Sequence, residues 1–264
     1  MKVGKYEVYD ALQYGNSPPR RVEVLLPHDL SADNPRPVVY MNDGNTAFRP
    51  GGLSPYSLEA QKLQGVIVVA IYPVNRAHEY LPVKEISGFG WEGGGLRDYA
   101  KDLTYLKEFI DRKYPTKPER EFTTIVGSSH GGLASFWTSV VHGDCFGNGV
   151  AMSPSFWAGG VLCIQRMDWV KELHSQLVNR LQRPRLWIDW GTTKSWKFHN
   201  LFIERNAAKW GREMVKLLQN KYDFEPGVDL FSMADENGEH DELHWCRRLK
   251  FALRALDQTS SINR

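Results

Sequence analysis

Five short apolar runs constrain this chain more than any other feature. P-V-V-Y-M (37–41), V-I-V-V-A-I (66–71), T-T-I-V (123–126), G-V-A-M (149–152) and L-W-I-D-W (186–190) run nearly continuously instead of alternating, and each stops at a turn rich in Gly, Pro, Asn or Ser. Runs of that length suit strands buried on both faces, the condition of strands in a parallel sheet. Helical patterns separate them. From Asp98 onward Tyr99, Leu103, Leu106 and Ile110 recur at spacings of three and four until Pro115. Further helices are expected over 133–141, 170–181 and 200–218, and a last one carries Trp245, Leu249, Ala252 and Leu256 on one face. Strands alternating with helices predict an α/β fold, a mostly parallel central sheet with helices on both faces. K-Y-E-V-Y-D-A-L (5–12) and R-R-V-E-V-L-L-P (20–27) leave no room for a helix between them, so they predict an antiparallel N-terminal edge. V-D-L-F-S-M-A-D (228–235) reads as the last strand. With no repeat, low-complexity stretch or linker, residues 1–264 read as one domain.

Chemistry concentrates where one of these strands meets its helix. I-V-G-S-S-H-G-G (125–132) contains Gly127-Ser128-Ser129-His130-Gly131, which fits G-x-S-x-G. Alone the pattern is weak; between a strand and a helix it marks a tight bend that presents the central serine, with glycines two residues either side to avoid collision. The central residue is Ser129, and Ser128 falls where a side chain points aside. A serine hydroxyl needs a base. In this architecture a histidine follows the last strand, which selects His240 in E-N-G-E-H-D-E-L-H-W, with His244 one turn later as a surface or capping residue. H-D-E-L-H departs from the zincin pattern H-E-x-x-H, because Asp241 stands where Glu is required, so no metal is expected. His130 is expected to contribute its backbone N–H to an oxyanion hole, and the second donor is expected from Gly44 or Asn45 in the turn after the first long buried strand. The stretch 75–95 reads as one long loop that should lie at the C-terminal edge of the sheet, where open α/β folds bind ligands; within it Arg76 and Glu79 are expected to pair.

At this point the chain resembles the putative-esterase family of α/β-hydrolases, which includes esterase D, enterochelin-type siderophore esterases, some feruloyl esterases and the mycolyltransferases. The matching landmarks are Y-M-N-D-G-N-T-A-F (40–48), N-R-A-H-E-Y (75–80), K-Y-P (113–115), G-S-S-H-G-G-L (127–133), F-G-N-G-V-A-M-S-P-S-F-W (146–157) and E-H-D-E-L-H-W-C-R-R (239–248). The resemblance implies the α/β-hydrolase fold and hydrolysis of carboxylic esters with no metal or organic cofactor. It also implies a triad acid after a G-T turn, where this chain has Lys194. Glu204 is the first candidate to take that role, ahead of Asp189 and Asp235, with a Ser–His dyad as the remaining alternative. Trp157 and Trp91 are expected to wall the substrate pocket. Lys194 also leaves open a catalytically silent binding module, and the same residues would serve acyl transfer to an alcohol.

Charge and composition exclude other classes. A formal net charge of +2 lacks the basic excess of a nucleic-acid binder. No apolar run approaches the roughly 20 residues needed to span a bilayer, and the first residues lack a secretory leader pattern, so a cytoplasmic protein acting on a small-molecule ester is expected. Cys145, Cys163 and Cys246 are too few and too scattered for a disulfide framework or a zinc ribbon. Neither the ester itself nor the oligomeric state is legible.

Overall fold

The computed structural model describes residues 5–47, 65–87, 90–158, 167–193 and 201–262. In chain order the elements are β1 (Lys5–Leu12), β2 (Arg20–Leu26), β3 (Val38–Met41), the single turn α1 (Gly44–Ala47), β4 (Ile67–Ile71), α2 (Arg76–Tyr80), β5 (Lys84–Ser87) and β6 (Gly90–Gly93). Then come α3 (Leu96–Lys113), β7 (Thr123–Ser128), α4 (His130–Val141), β8 (Asn148–Met152), α5 (His174–Val178), β9 (Arg185–Gly191), α6 (Leu201–Tyr222), β10 (Leu230–Asp235) and α7 (Glu242–Ile262). Among the described residues eight strands form one sheet in the order β1-β2-β4-β3-β7-β8-β9-β10. The pairs β1/β2 and β2/β4 are antiparallel and all the others parallel, as the sequence predicts.

The continuous apolar runs are explained by what lies on each face. Val38, Tyr40, Ile67, Val69 and Ile125 point into one layer, where α3, α4 and α6 pack. Val39, Met41, Val68, Ala70, Val126 and Met152 point into the other, where Trp245, Leu249, Ala252 and Leu256 of α7 cover them. Successive side chains alternate between faces, so a strand clad on both sides needs apolar residues throughout.

Three expectations are corrected. The helix expected over 170–181 is a 3₁₀ turn, Asp168–Leu173, followed by the five-residue α5. The side chain of Asn179 accepts the Leu181 N–H, giving the backbone an alternative to the helical ladder, and Leu181 stands 89% exposed. The helix expected from Leu133 begins at His130, because Gly131 and Gly132 are needed for close packing and are drawn into the helix despite poor propensity. Segment 75–95 folds into α2 and the antiparallel β5/β6 hairpin. Among the described residues no helix is long and apolar enough to cross a membrane.

Candidate active site

The parallel strands all end on one edge, and register places those ends side by side: Met41 pairs with Val126, Ser128 with Met152, Met152 with Asp189, and Gly191 with Asp235. Ser129 sits at the centre of that edge with φ 55° and ψ −121°, a left-handed backbone that a residue with a Cβ adopts only when its surroundings enforce it. The enforcement is local. A Cβ on Gly127 would lie 2.2 Å from the Gly131 carbonyl oxygen, and one on Gly132 would lie 3.2 Å from those of Gly127 and Met152. The Ser129 N–H donates to Met152 O at 2.9 Å. Serine at a helix N-cap ordinarily turns its hydroxyl onto the first turn; Ser129 makes no such bond. Its Oγ lies 3.2 Å from Ser155 Oγ instead, and Ser155 N–H returns to Ser129 O at 3.0 Å. Ser128 points the other way, into a small cavity shared with Met152, Glu242, Trp245 and Cys246 on the α7 side.

Beside this bend lies the turn that leaves β3. Asn42 bridges to α4 through Nδ2, which donates to Gly131 O at 3.2 Å and to Ser135 Oγ at 3.0 Å; Tyr99 in turn donates to Asn42 Oδ1. Asp43 has φ 58°. Its N–H donates to the Tyr80 hydroxyl at 3.0 Å, and its carboxylate takes a two-point grip from Arg76, at 2.6 and 2.8 Å. Arg76 therefore pairs with Asp43 and not with Glu79. Glu79 binds the buried Arg20 at 3.0 and 3.2 Å, because the one-turn helix α2 aims the two side chains at different partners. Gly44 is required where α1 crosses β4, since a Cβ there would lie 2.8 Å from backbone atoms of Ala70 and Ile71. Gly44 and Asn45 open α1, and His130 opens α4. First-turn N–H groups of a helix have no intrahelical acceptor, so all three positions suit oxyanion donors.

Arg76 also reaches His130 Nδ1 at 3.4 Å. A guanidinium can only donate, so Nδ1 accepts and the ring proton sits on Nε2. Burial and then the adjacent Arg76 charge push His130 down to about 4, keeping it neutral and unsuited to act as the base at neutral pH.

His240 is 4% exposed, in the loop between β10 and α7. That loop is folded over the strand ends, with Thr193 N–H donating to Gly238 O and no room for a Cβ on Gly191 against the same oxygen. The His240 ring packs edge-on against Trp245 at 5.0 Å, and Trp245 lines the cavity that Ser128 faces. At the helix start Asp241, not His244, is the cap: the His244 N–H and Nδ1 both meet Asp241 Oδ1, at 2.9 and 2.7 Å, and the His244 side chain is 15% exposed. Glu239, Asp241 and His244 bring one donor atom each within 4.8 Å, but Asp241 is already engaged in capping.

The three carboxylates weighed for the acid separate clearly. Asp189 is fully buried and accepts from Arg248 Nε at 3.0 Å, Trp187 Nε1 at 2.9 Å and Ser153 N–H at 3.3 Å. Asp235 faces the same guanidinium at 3.4 Å. Both thus serve Arg248, the last residue of E-H-D-E-L-H-W-C-R-R. Glu204 is buried in the first turn of α6. Trp157 is buried in the turn after β8. Trp91 belongs to β6, paired with Ile86, but its side chain lies outside the described residues, as do Lys194 and Cys163. Ser155, beside Ser129, is a functional candidate that sequence spacing does not single out; the available signal is a second serine three residues after β8 in S-P-S-F-W.

A family model described as "Putative esterase" matches residues 17–256. The chain is 28% identical over 144 residues to the uncharacterized protein YbbA of Bacillus subtilis (strain 168), a match covering 52% of this chain and 58% of that protein. Among solved structures, the enterobactin esterase FES from Shigella flexneri in the presence of enterobactin superposes with a TM-score of 0.72 at 19% identity, over 97% of this chain and 58% of that one. The BES protein from Bacillus cereus gives 0.69 at 19%, over 95% and 94% of the two chains. S-formylglutathione hydrolase (FrmB) from Staphylococcus aureus gives 0.63 at 17%, over 97% and 98%. The fold is thus that of the α/β-hydrolases. The chain spans less than two thirds of the length of YbbA and of the enterobactin esterase.

Proposed function

The chain belongs to the putative-esterase family, and we propose that it is a serine carboxylic ester hydrolase, one catalytic domain working through an acyl-enzyme without a metal or organic cofactor. Ser129 Oγ attacks the ester carbonyl carbon while His240 takes its proton. The tetrahedral oxyanion is held by the His130 N–H and by that of Gly44 or Asn45. Collapse expels the alcohol, which takes the proton from His240. Water, deprotonated by His240, then attacks the acyl-enzyme, and Ser129 leaves with its proton restored. Glu204 orients and supports the imidazolium, and Trp157 and Trp91 wall the site. The reading of Glu204 is supported by the engagement of both Asp189 and Asp235 with Arg248.

The observation that carries this reading is the left-handed Ser129, φ 55°, between β7 and α4, with its hydroxyl withheld from the helix cap. A bend of that kind carries backbone strain, and it is the known device for exposing a nucleophile. The test is turnover of p-nitrophenyl acetate together with labelling by a fluorophosphonate probe. Ser129→Ala should abolish both, and Ser128→Ala should retain most of each. Full activity in Ser129→Ala refutes the assignment.

A further inference from the structure

On the ester-hydrolase reading above, we propose that Ser155 is a positioning residue for the nucleophile: its hydroxyl donates to Ser129 Oγ and fixes where that oxygen sits. Ser129 has a strained backbone and no helix-cap bond to fix its hydroxyl. The Leu133 N–H of α4 donates to its C=O at 3.1 Å, and three further ties come from the end of β8 and the turn that follows. Its N–H donates to Met152 O at 2.9 Å, its C=O accepts Ser155 N–H at 3.0 Å, and its Oγ meets Ser155 Oγ at 3.2 Å. Ser155 supplies two of them.

Ser155 is fully buried, at 0% exposure. A buried hydroxyl needs a partner, and among the described residues Ser129 Oγ is the one the Ser155 side chain has. The direction follows from proton count. Ser129 has a single hydroxyl proton; once it points at or moves to His240, the 3.2 Å contact survives only with Ser155 as donor. Ser155 keeps its own proton throughout. Its O–H faces the charge that builds on Oγ when Ser129 is deprotonated, and again when Oγ is released from the acyl-enzyme.

The turn bearing Ser155 is anchored on both faces of the sheet. On one side Phe156 packs against Phe136 at 5.1 Å and Trp169 at 6.0 Å. On the other, Ser153, at φ 42°, receives Arg248 Nη2 on its Oγ at 2.9 Å and gives its N–H to Asp189 O at 2.9 Å. Ser155 therefore presents its hydroxyl from a fixed point, which a flexible surface serine could not do.

The experiment compares wild type with Ser155→Ala and Ser155→Cys. Ser155→Ala keeps the backbone N–H tie and deletes only the hydroxyl; a hydrogen bond of ordinary net worth predicts a fall of about five- to tenfold in kcat and in the fluorophosphonate labelling rate, with KM unchanged. Ser155→Cys, a weaker donor, should recover part of the rate and stands in if the alanine variant does not fold. Crystal structures should show Ser129 in one rotamer in wild type and in more than one in the variant. A labelling rate within twofold of wild type, or a single unchanged Ser129 rotamer, overturns the proposal. Failure of the wild-type protein to label or to hydrolyse any ester instead defeats the ester-hydrolase reading, and the rotamer comparison then decides the Ser155 contact by itself.

Discussion

Replacing Asp189 by asparagine separates a structural carboxylate from a catalytic one. Asp189 is fully buried and its partner Arg248 is 1% exposed, with 3.0 Å between them. Burial pushes the Asp189 carboxyl up, against the opposing pull of Arg248, the Trp187 indole and the Ser153 N–H. Asparagine preserves the shape and cannot carry the charge, leaving the guanidinium the neutral Ser153 hydroxyl at 2.9 Å and, as its carboxylate partner among the described residues, Asp235 at 3.4 Å, with a quarter of that side chain exposed. Removing one member of a buried pair costs about 3–5 kcal/mol. Since Asp235 offsets part of the loss, about 3 kcal/mol is expected. An unfolding entropy of about 2.1 cal/mol/K per residue amounts, for 264 residues, to about 0.55 kcal/mol/K, so Tm should fall by about 5 °C. Calorimetry on wild type, Asp189→Asn, Arg248→Gln and the double variant measures it, and the double variant should lose less than the sum of the singles. An unchanged Tm accompanied by a drop in turnover of about a thousandfold or more would refute the reasoning, because Asp189 would then be the acid behind His240.

Glu204→Gln should lower kcat of ester hydrolysis by about a hundredfold or more with little change in Tm; undiminished turnover removes Glu204 from the site. Tyr80→Phe leaves the buried Asp43 N–H without its acceptor, at a cost of about 1–3 kcal/mol, and a variant as stable as wild type in urea titration contradicts the account of that turn. Between its folded value of about 4 and its ordinary 6.5, His130 binds fewer protons folded than unfolded, so stability rises with pH across that window. Acidification through it removes up to about 3 kcal/mol. His130→Gln should flatten that stretch of the pH–stability curve, and an unaltered slope means His130 is not the group responsible.

The layer architecture was legible because burial on both faces writes itself directly into composition: a strand such as Val38–Met41 can serve two layers only if every residue is apolar. The bend was legible for a similar reason, since steric exclusion leaves glycine as the sole occupant of positions 127 and 131 once Ser129 takes a left-handed backbone. Chain order pointed to His240. Partner choice was not legible. Arg76 and Glu79 lie three residues apart, which suggests a pair, yet Arg76 grips Asp43 and Glu79 grips Arg20, because α2 lasts a single turn and its neighbours come from β2 and the β3 turn. The same holds for Asp189, Asp235 and Arg248, which meet only when β9, β10 and α7 are assembled, and for Ser155, whose nearness to Ser129 requires β8 to pair with β7. Local sequence thus determined which residues could form strands, bend and helix, through sterics and burial that act within a few residues. Which charges and hydroxyls meet was decided by the tertiary structure alone, because electrostatic and hydrogen-bond partners are matters of distance in space, and nothing in the spacing along the chain encodes them.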